Sequence, residues 1–317
     1  MNRLRTFIFC AVICLLACCT REREDALQAS PVPLHIASAA LPGMTLETGA
    51  TTRAATTLQT GSIGVFCTQP TGYTVAQKNV KYTYDSGKWK PETAGKGVYL
   101  LPQTTQVCAY YPYNGNYSNS ATVPLAFGEY AGTADDLTGH DPQDICYAVN
   151  QGLNSASATV TFALKHALAL LRLTFTRPAD ASTACRVTQL KLENNNLMQT
   201  ATQNITTGTA PVGTPVSFLT WTPVPAMEVP AGGTAVSVTL RMIPCTLASG
   251  GLKLTCTIEG RPVSVTIAGG TLSGFEAGKL YDVSLSIGAA GITVAGVSIT
   301  DWEDAFQAND PVHNTRP

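Results

Sequence analysis

Apolar and polar residues alternate along most of the chain from Ile63 onward, with short turn sequences between the runs. A period of two places apolar side chains on one face of a strand and polar side chains on the other. The clearest runs lie in the C-terminal half, at residues 236–242, 252–258, 263–267 and 281–287. Strands of this length and spacing are typical of β-sandwiches. The pattern therefore predicts an all-β fold.

Two segments of the N-terminal half add detail to this prediction. The sequence KYTYDSGKWK, residues 81–90, places Asp85-Ser86-Gly87 between two short runs and predicts a β-hairpin. The sequence TTQVCAYYPYNG, residues 104–115, predicts a tyrosine-rich strand that ends at a proline.

The sequence ATVTFALKHALALLRLTF, residues 158–175, changes its apolar phase midway. Val160, Phe162, Leu164, Leu168 and Leu170 share one parity, whereas Leu171, Leu173 and Phe175 share the other. A strand that swaps faces needs a bulge or a break. A short helix through residues 164–171 is the alternative. Because Thr, Val and Phe flank both ends, we expect a long bent strand that opens a second domain.

The N-terminus has the form of an export signal. Arg3 and Arg5 precede an apolar run over residues 6–17, which is too short to span a membrane as a helix. Leu15-Leu16-Ala17-Cys18 fits a bacterial lipobox, and Cys19 is a worse candidate because Cys18 precedes it. The sequence predicts cleavage before Cys18 and acylation of its thiol, which would anchor the exported protein in a membrane.

The composition argues against nucleic-acid binding. The net charge is −1 and only 13% of the residues are charged, so nucleic acid is not an expected partner. The 317 residues leave room for two domains. Residues 20–60 are rich in Thr, Ala and Ser without a sustained period, which indicates a tether leading into an irregular first strand.

Six cysteines follow the signal segment, namely Cys67, Cys108, Cys146, Cys185, Cys245 and Cys256. No two of them have CxxC spacing, so a zinc site is not expected. Export permits disulfides. Burial as small hydrophobic side chains is an equally good interpretation, and the sequence leaves both open.

No arrangement of residues predicts catalysis, and we expect neither an enzyme nor a cofactor. The histidines are scattered, and His166 lies on an apolar strand parity typical of a core histidine. The loop GTADDLTGHD contains Asp135, Asp136, His140 and Asp141, but it matches no calcium-loop signature, so a solvated turn is expected and no metal site. The tyrosines of residues 110–117 could stack on sugars, but they are more typical of a shared core and surface.

The C-terminal end carries a separate apolar pattern after a flexible GAAG sequence. Its apolar positions are Ile292, Val294, Val297 and Ile299. This segment either folds back onto its own domain or completes the sheet of a neighbouring molecule, as in donor-strand complementation. Burial of four such side chains contributes roughly 6–12 kcal/mol before entropy costs.

The chain resembles the fimbrillin-like proteins, subunits of type V pili, from about Leu46 to Trp302. The resemblance rests on the order and spacing of TRAATT, GSIGVF, YTYDSGKWKPE, AYYPY, DICYAV, VTFALKHALALL and GFEAGKLYDVSLSI…GITVAGVSITDW. It implies a lipoprotein precursor with two β-sandwich domains of transthyretin-like topology. On this chain the expected division is residues 1–17 as signal, 18–53 as tether with the first strand, 54–156 as the N-terminal sandwich and 157–317 as the C-terminal sandwich.

The resemblance also implies a route of assembly. An arginine-directed protease removes the lipidated segment, and the departing first strand leaves an apolar groove for a C-terminal strand of another subunit. Carried onto this sequence, Cys18 is the lipid site, Arg53 the cleavage site and Ile292, Val294, Val297 and Ile299 the donor residues. Arg21 and Arg23 are alternative cleavage sites. The cysteine content and the polar tail after Trp302 depart from the expected pattern.

Two functions remain as expectations. The first is a structural fimbrial subunit at the cell surface, held to the outer membrane by its lipid, with other pilus subunits as partners. The second is a non-polymerising surface lipoprotein or tip adhesin that binds a glycan or a host protein.

Overall fold

The computed structural model describes residues 30–41, 56–68, 77–132 and 140–302. These residues form strands and turns and contain no α-helix. The predicted all-β fold is therefore confirmed. Cys18 and Arg53, as well as Asp135 and Asp136, lie outside the described residues.

The structure has 24 strands over these ranges. The strands up to the chain midpoint are β1 Val32–Pro33, β2 His35–Leu41, β3 Thr56–Thr57, β4 Ser62–Cys67, β5 Gln77–Asp85, β6 Lys88–Pro91, β7 Tyr99–Leu100, β8 Thr105–Tyr111, β9 Val123–Ala126, β10 Gly128–Glu129, β11 Cys146–Leu153, β12 Thr159–Ala163 and β13 Lys165–His166. The later strands are β14 Ala169–Thr176, β15 Cys185–Gln203, β16 Val212–Trp221, β17 Met227–Val229, β18 Val236–Met242, β19 Cys245–Thr246, β20 Leu252–Ile258, β21 Arg261–Ile267, β22 Gly274–Phe275, β23 Lys279–Gly288 and β24 Gly291–Asp301.

The first part of the chain folds around one apolar core. A six-stranded sheet has the order β13-β11-β8-β4-β5-β6, and a three-stranded sheet has the order β12-β2-β3. Strand β2 is parallel to β12 and antiparallel to β3. The predicted hairpin at residues 81–90 is confirmed: β5 and β6 pair across Ser86 and Gly87, whose positive φ angles of 51° and 81° suit a tight hairpin turn.

The second part folds around another core. A five-stranded sheet has the order β10-β18-β14-β23-β24, and a second sheet has the order β16-β15-β20-β21 with β9 and β17 also paired to β15. The alternating residues predicted for the C-terminal half supply this core, including Val238, Leu240, Leu254, Val283 and Leu285. All of them are at most 6% exposed.

A third group of buried side chains, here called the junction cluster, draws on both parts of the chain. It contains residues from the first part, such as Phe66, Tyr110 and Tyr147, and residues from the second, such as Leu280 and Trp302. The full buried set is Phe66, Cys108, Tyr110, Val123, Leu125, Ile145, Tyr147, Ala167, Leu168, Leu170, Met198, Ala201, Ile205, Ile243, Leu280 and Trp302. Packing of this kind ties the two cores together.

The segment 158–175 runs through all three groups, and its change of parity marks the passage from the junction cluster into the second core. Its first apolar residues, Val160, Phe162 and Leu164, enter the first core. Leu168 and Leu170 enter the junction cluster, whereas Leu171, Leu173 and Phe175 enter the second core. The expected single bent strand is in fact three strands, β12, β13 and β14, and the alternative helix does not form.

Strand pairing crosses the middle of the chain in both directions. Strand β12 pairs with β2 in the first part of the molecule, and β13 pairs with β11. Conversely, β9 and β10 pair with β15 and β18 in the second part. The alternation of apolar and polar residues shows where a strand lies in the sequence. Contacts between distant segments determine which strand it pairs with.

Candidate functional site

The predicted donor strand, β24, is an edge strand of its own five-stranded sheet. It pairs antiparallel with β23 from Lys279↔Asp301 to Gly288↔Gly291. Its four predicted donor residues differ in burial: Ile292 is buried, Val294 and Val297 are half-buried, and Ile299 is 50% exposed. The described chain thus covers only one edge and part of one face of this strand.

Trp302 holds the end of β24 against the first part of the molecule. Its side chain is 2% exposed. The indole stacks on His166 with ring centroids 4.0 Å apart and an interplanar angle of 4°, and it meets Tyr130 edge-on. Its backbone N–H donates to the carbonyl oxygen of Gly278 at 2.9 Å. Trp302 is therefore more completely buried and bonded than most residues of β24 itself.

Strand β2 lies at the other end of the chain and is buried in the first core. Leu34, just before the strand, and Ile36, Ala39 and Leu41 within it are at most 6% exposed. Backbone N–H groups of Leu58 and Leu164 donate to the carbonyl oxygens of Ala39 and Ala40, each at 2.8 Å. Neighbouring segments thus bond β2 on both sides. Removal of β2 would expose apolar side chains and unpaired backbone groups together.

Strands β2 and β24 have matching apolar patterns. The buried apolar residues of the β2 segment are Leu34, Ile36, Ala39 and Leu41, and the large apolar residues of β24 are Ile292, Val294, Val297 and Ile299. Both sets have the spacing i, i+2, i+5, i+7. Each contains one unpaired extra residue between its second and third members, since pairing skips Ala37 in β2 and Ala295 in β24. A β-bulge restores the apolar phase after the extra residue.

A group of polar side chains lies beneath Trp302, at the junction of the two cores. His166 Nδ1 is 3.1 Å from Asp144 Oδ1 and 3.2 Å from Cys146 Sγ. His140 Nε2 is 2.8 Å from the carbonyl oxygen of Asp144 and 3.5 Å from its Oδ2. Asp144 and Cys146 are 0% exposed and His166 is 8% exposed. We call these four residues the His-Asp-Cys cluster.

Burial and charge set the ionisation of this cluster. Burial on its own raises the pKa of Asp144, but the charges of His166 and His140 outweigh it, so the pKa lies below its ordinary value. Burial, followed by the charge of Asp144, raises the pKa of the Cys146 thiol well above its ordinary value. Asp144 is therefore a charged carboxylate. Cys146 is a neutral thiol when nothing is bound to the cluster.

A buried ion pair supports the loop that carries the cluster. Arg241 Nη1 donates to both carboxylate oxygens of Asp141 at 2.7 Å, and Nη2 donates to Gln143 Oε1 at 2.9 Å. Asp141 is 2% exposed, so the expected solvated turn is wrong for this residue. The sequence could not show this, because Arg241 comes from a strand 100 residues further along.

The remaining predicted residues have ordinary structural roles. The six cysteines are free thiols, five of them buried and Cys245 partly so, which agrees with the interpretation as small hydrophobic side chains. Tyr110 and Tyr111 are buried, whereas Tyr113 and Tyr117 are half-buried against the junction cluster. No helix among the described residues is long and apolar enough to cross a membrane.

The His-Asp-Cys cluster does not have the geometry of a nucleophilic triad. A triad places the nucleophile and the carboxylate on different nitrogens of one imidazole. Here the same atom, His166 Nδ1, meets both Asp144 and Cys146. Trp302 stacks on His166 and covers one face of its imidazole ring.

The molecule is thus an all-β protein whose first long strand and last strand carry matching apolar patterns. A family model described as fimbrillin-like matches residues 52–302. The match covers well over half of the chain, and the chain belongs to the fimbrillin-like family. No curated protein matches it in sequence.

Solved structures show the same fold at low sequence identity. A crystal structure described as a cell adhesion protein from Bacteroides uniformis is 19% identical, with a TM-score of 0.55 over 86% of this chain and 99% of that one. Another described as a cell adhesion protein, from Bacteroides ovatus, is 17% identical, with a TM-score of 0.58 over 86% of this chain and 98% of that one. At these identities the likeness concerns the fold.

Proposed function

We propose that this protein is a structural subunit of a cell-surface fimbria that assembles by strand exchange and contributes to adhesion. In this proposal β24 of one copy takes the place of β2 in the next subunit. The partners are further pilus subunits, either copies of this chain or other members of the assembly. The two-sandwich, transthyretin-like organisation is part of the proposal.

The matching patterns of β2 and β24 are the observation that carries it. In a common register Ile292 replaces Leu34, Val294 replaces Ile36, Val297 replaces Ala39 and Ile299 replaces Leu41. Two of these exchanges conserve volume, and Val294 is slightly smaller than Ile36. Val297 is larger than Ala39, which is 0% exposed, so the groove must repack at that one position. Because the extra residues Ala37 and Ala295 fall at the same place, all four side chains point into the groove together.

The position of Arg53 supports the same scheme. It lies in the sequence between β2, which ends at Leu41, and β3, which begins at Thr56. Cleavage after Arg53 would separate β2 from the rest of the chain, so that β2 would be held by noncovalent contacts alone. Before that step, acylation at Cys18 would hold the precursor at the outer membrane.

The test is a pair of variants in β24, in protein cleaved by an arginine-specific protease. Ile299→Asp alters a side chain that is 50% exposed in the subunit, so the monomer should remain folded. In the exchanged strand the same position replaces Leu41, which is 1% exposed, and an unpaired carboxylate there is strongly unfavourable. We expect Ile299→Asp to abolish polymers seen by size-exclusion chromatography and electron microscopy.

Thr293→Asp is the matched control. Thr293 is exposed in the subunit, and in the common register it replaces His35, which is also exposed. The Thr293→Asp variant should polymerise like the wild type. Polymers of Ile299→Asp at wild-type yield would contradict the proposed register. N-terminal sequencing of protein from the cell surface tests the processing step, with Ala54 as the expected first residue.

The anchored Trp302 favours a second candidate function, a non-polymerising surface lipoprotein or tip adhesin that binds a glycan or a host protein. Because Trp302 is buried against His166, release of β24 requires loss of this contact. A surface form that starts at an acylated Cys18 and stays monomeric would favour this candidate over strand exchange.

A further inference from the structure

We propose that His140, Asp144, Cys146 and His166 bind one transition-metal ion of the zinc class. The His-Asp-Cys cluster offers two imidazole nitrogens, one carboxylate and one thiolate. These are the ligand types that select zinc among the common divalent metals. The proposal does not rest on strand exchange, although Trp302 at the end of β24 contacts the His166 ligand.

Three distances between the ligand atoms are within about 0.2 Å of those in such a site. Ligands about 2.0–2.3 Å from a tetrahedral zinc lie roughly 3.3–3.6 Å from one another. His166 Nδ1 is 3.1 Å from Asp144 Oδ1 and 3.2 Å from Cys146 Sγ, and His140 Nε2 is 3.5 Å from Asp144 Oδ2. The ligand atoms of His140, Asp144 and Cys146 all lie within 4.8 Å of one another.

An unsatisfied carboxylate oxygen also indicates a ligand. Asp144 is 0% exposed, and its Oδ2 accepts no hydrogen bond from the described residues. This oxygen does lie 3.0 Å from His166 Nδ1, but that nitrogen is hydrogen-bonded to Oδ1. Buried carboxylate oxygens are normally satisfied, and a bound cation would satisfy this one.

Charge and surroundings agree with a divalent ion. A carboxylate and a thiolate carry two negative charges, which neutralise the ion in a buried site. Arg241 does not compete for Asp144, because its guanidinium is engaged by Asp141 and Gln143. Trp302 stacks on His166, and the Tyr111 ring centroid lies 4.9 Å from that of His140, so aromatic rings orient both imidazoles.

Metal binding requires three local changes. Cys146 loses its proton, which passes to solvent as the thiolate bonds to the ion. His166 Nδ1, which is hydrogen-bonded to Asp144 Oδ1, also releases its proton to solvent so that its lone pair can bind the ion. The His140 ring turns slightly, because Nε2 now lies 2.8 Å from the carbonyl oxygen of Asp144. The ligand atoms of His140, Asp144 and Cys146 are thus already within 4.8 Å of one another, and His166, whose Nδ1 lies beside Asp144 and Cys146, is the fourth ligand.

The experiment is a titration of the purified full chain with Co²⁺ after treatment with a chelator and a thiol reductant. We expect a sulfur-to-cobalt charge-transfer band in the near ultraviolet, tetrahedral bands in the visible, and saturation at one ion per chain. Zn²⁺ should displace the cobalt and raise the melting temperature. No charge-transfer band, or a saturation well below one ion, overturns the proposal.

Variants assign the band to these residues. Cys146→Ser should lose the charge-transfer band, and His166→Gln should weaken binding by more than the roughly 10–100-fold typical of outer-shell changes. Cys256→Ala is the matched control, since Cys256 is also 0% exposed but lies in the second core. Loss of the band in the control but not in Cys146→Ser would place the metal elsewhere. If Cys146→Ser does not fold, His140→Gln takes its place in the experiment. We expect this variant to bind Co²⁺ more weakly but to retain the charge-transfer band.

Discussion

Single residues show where local sequence is a poor guide to environment. The burial of His166 agrees with its apolar strand parity, whereas the sequence predicts a solvated turn for Asp141, which is buried against Arg241. Both results depend on partners remote in sequence. Charged groups nearer the surface, such as Glu193, are also organised by neighbours from other strands.

Glu193 gives a prediction about pH. Lys253 in particular, with Lys191 and Thr255, holds the pKa of Glu193 at about 2, below its ordinary 4.5. A lowered pKa in the folded state stabilises the fold above pH 4.5, and this contribution is lost as the pH falls toward 2. Glu193→Gln should therefore lower the free energy of unfolding at pH 7 by about 1 kcal/mol. Urea denaturation at several pH values should show the difference vanishing between pH 4.5 and 2.

Glu228→Gln is the control for this prediction. The Glu228 carboxylate is 60% exposed and lies 3.9 Å from Arg186. Its replacement should change the free energy of unfolding by less than about 0.5 kcal/mol at every pH. A loss in Glu193→Gln that is the same at pH 2 and pH 7 would show that packing, not charge, stabilises this position.

At the scale of whole strands, position in the sheet decides how firmly an element is held. Strand β14 lies between β18 and β23, so both of its edges are paired. Strand β24 is paired to β23 alone, and most of its residues are exposed or half-buried. The same apolar residues would be fully covered in the groove of β2. The proposed strand exchange would therefore use the least covered strand of this sheet.

Hydrogen exchange measures this difference directly. Backbone amides of β24 should exchange more than about tenfold faster than those of β14, because an edge strand opens without disrupting the core. Strand β23 serves as an internal control, since β14 and β24 pair with it on either side and its amides should be protected like those of β14. Equal protection of β24 and β14, read by mass spectrometry of peptides, would argue against a releasable terminal strand.

At the scale of the molecule, the junction cluster determines whether the two parts unfold separately. It combines residues of β4, β8 and β11 with residues of β15, β23 and the end of β24. Leu168 lies in this cluster and is 0% exposed. Because these contacts are buried and shared, the wild type should unfold in a single transition.

Leu168→Ala tests this coupling. Loss of a fully buried leucine costs about 2–5 kcal/mol, and here the loss falls on the contacts between the cores. We expect a lower melting temperature and a second, resolved transition in scanning calorimetry. Val212→Ala, at a side chain that is 73% exposed, should leave the profile unchanged. A single transition in Leu168→Ala with little change in stability would mean that the cores are coupled by other contacts.

The sequence by itself determined the class of fold, because the strand period of two is a local property that can be read along the chain. It also located the hairpin at residues 81–90, the phase change in residues 158–175 and the family resemblance. The tertiary structure alone decided which strands pair and where the sheets change, since pairing joins segments far apart in sequence. For the same reason it alone brought His140, Asp144, Cys146 and His166 together. It also showed that the bulges of β2 and β24 fall at the same place, because a bulge exists only relative to a partner strand.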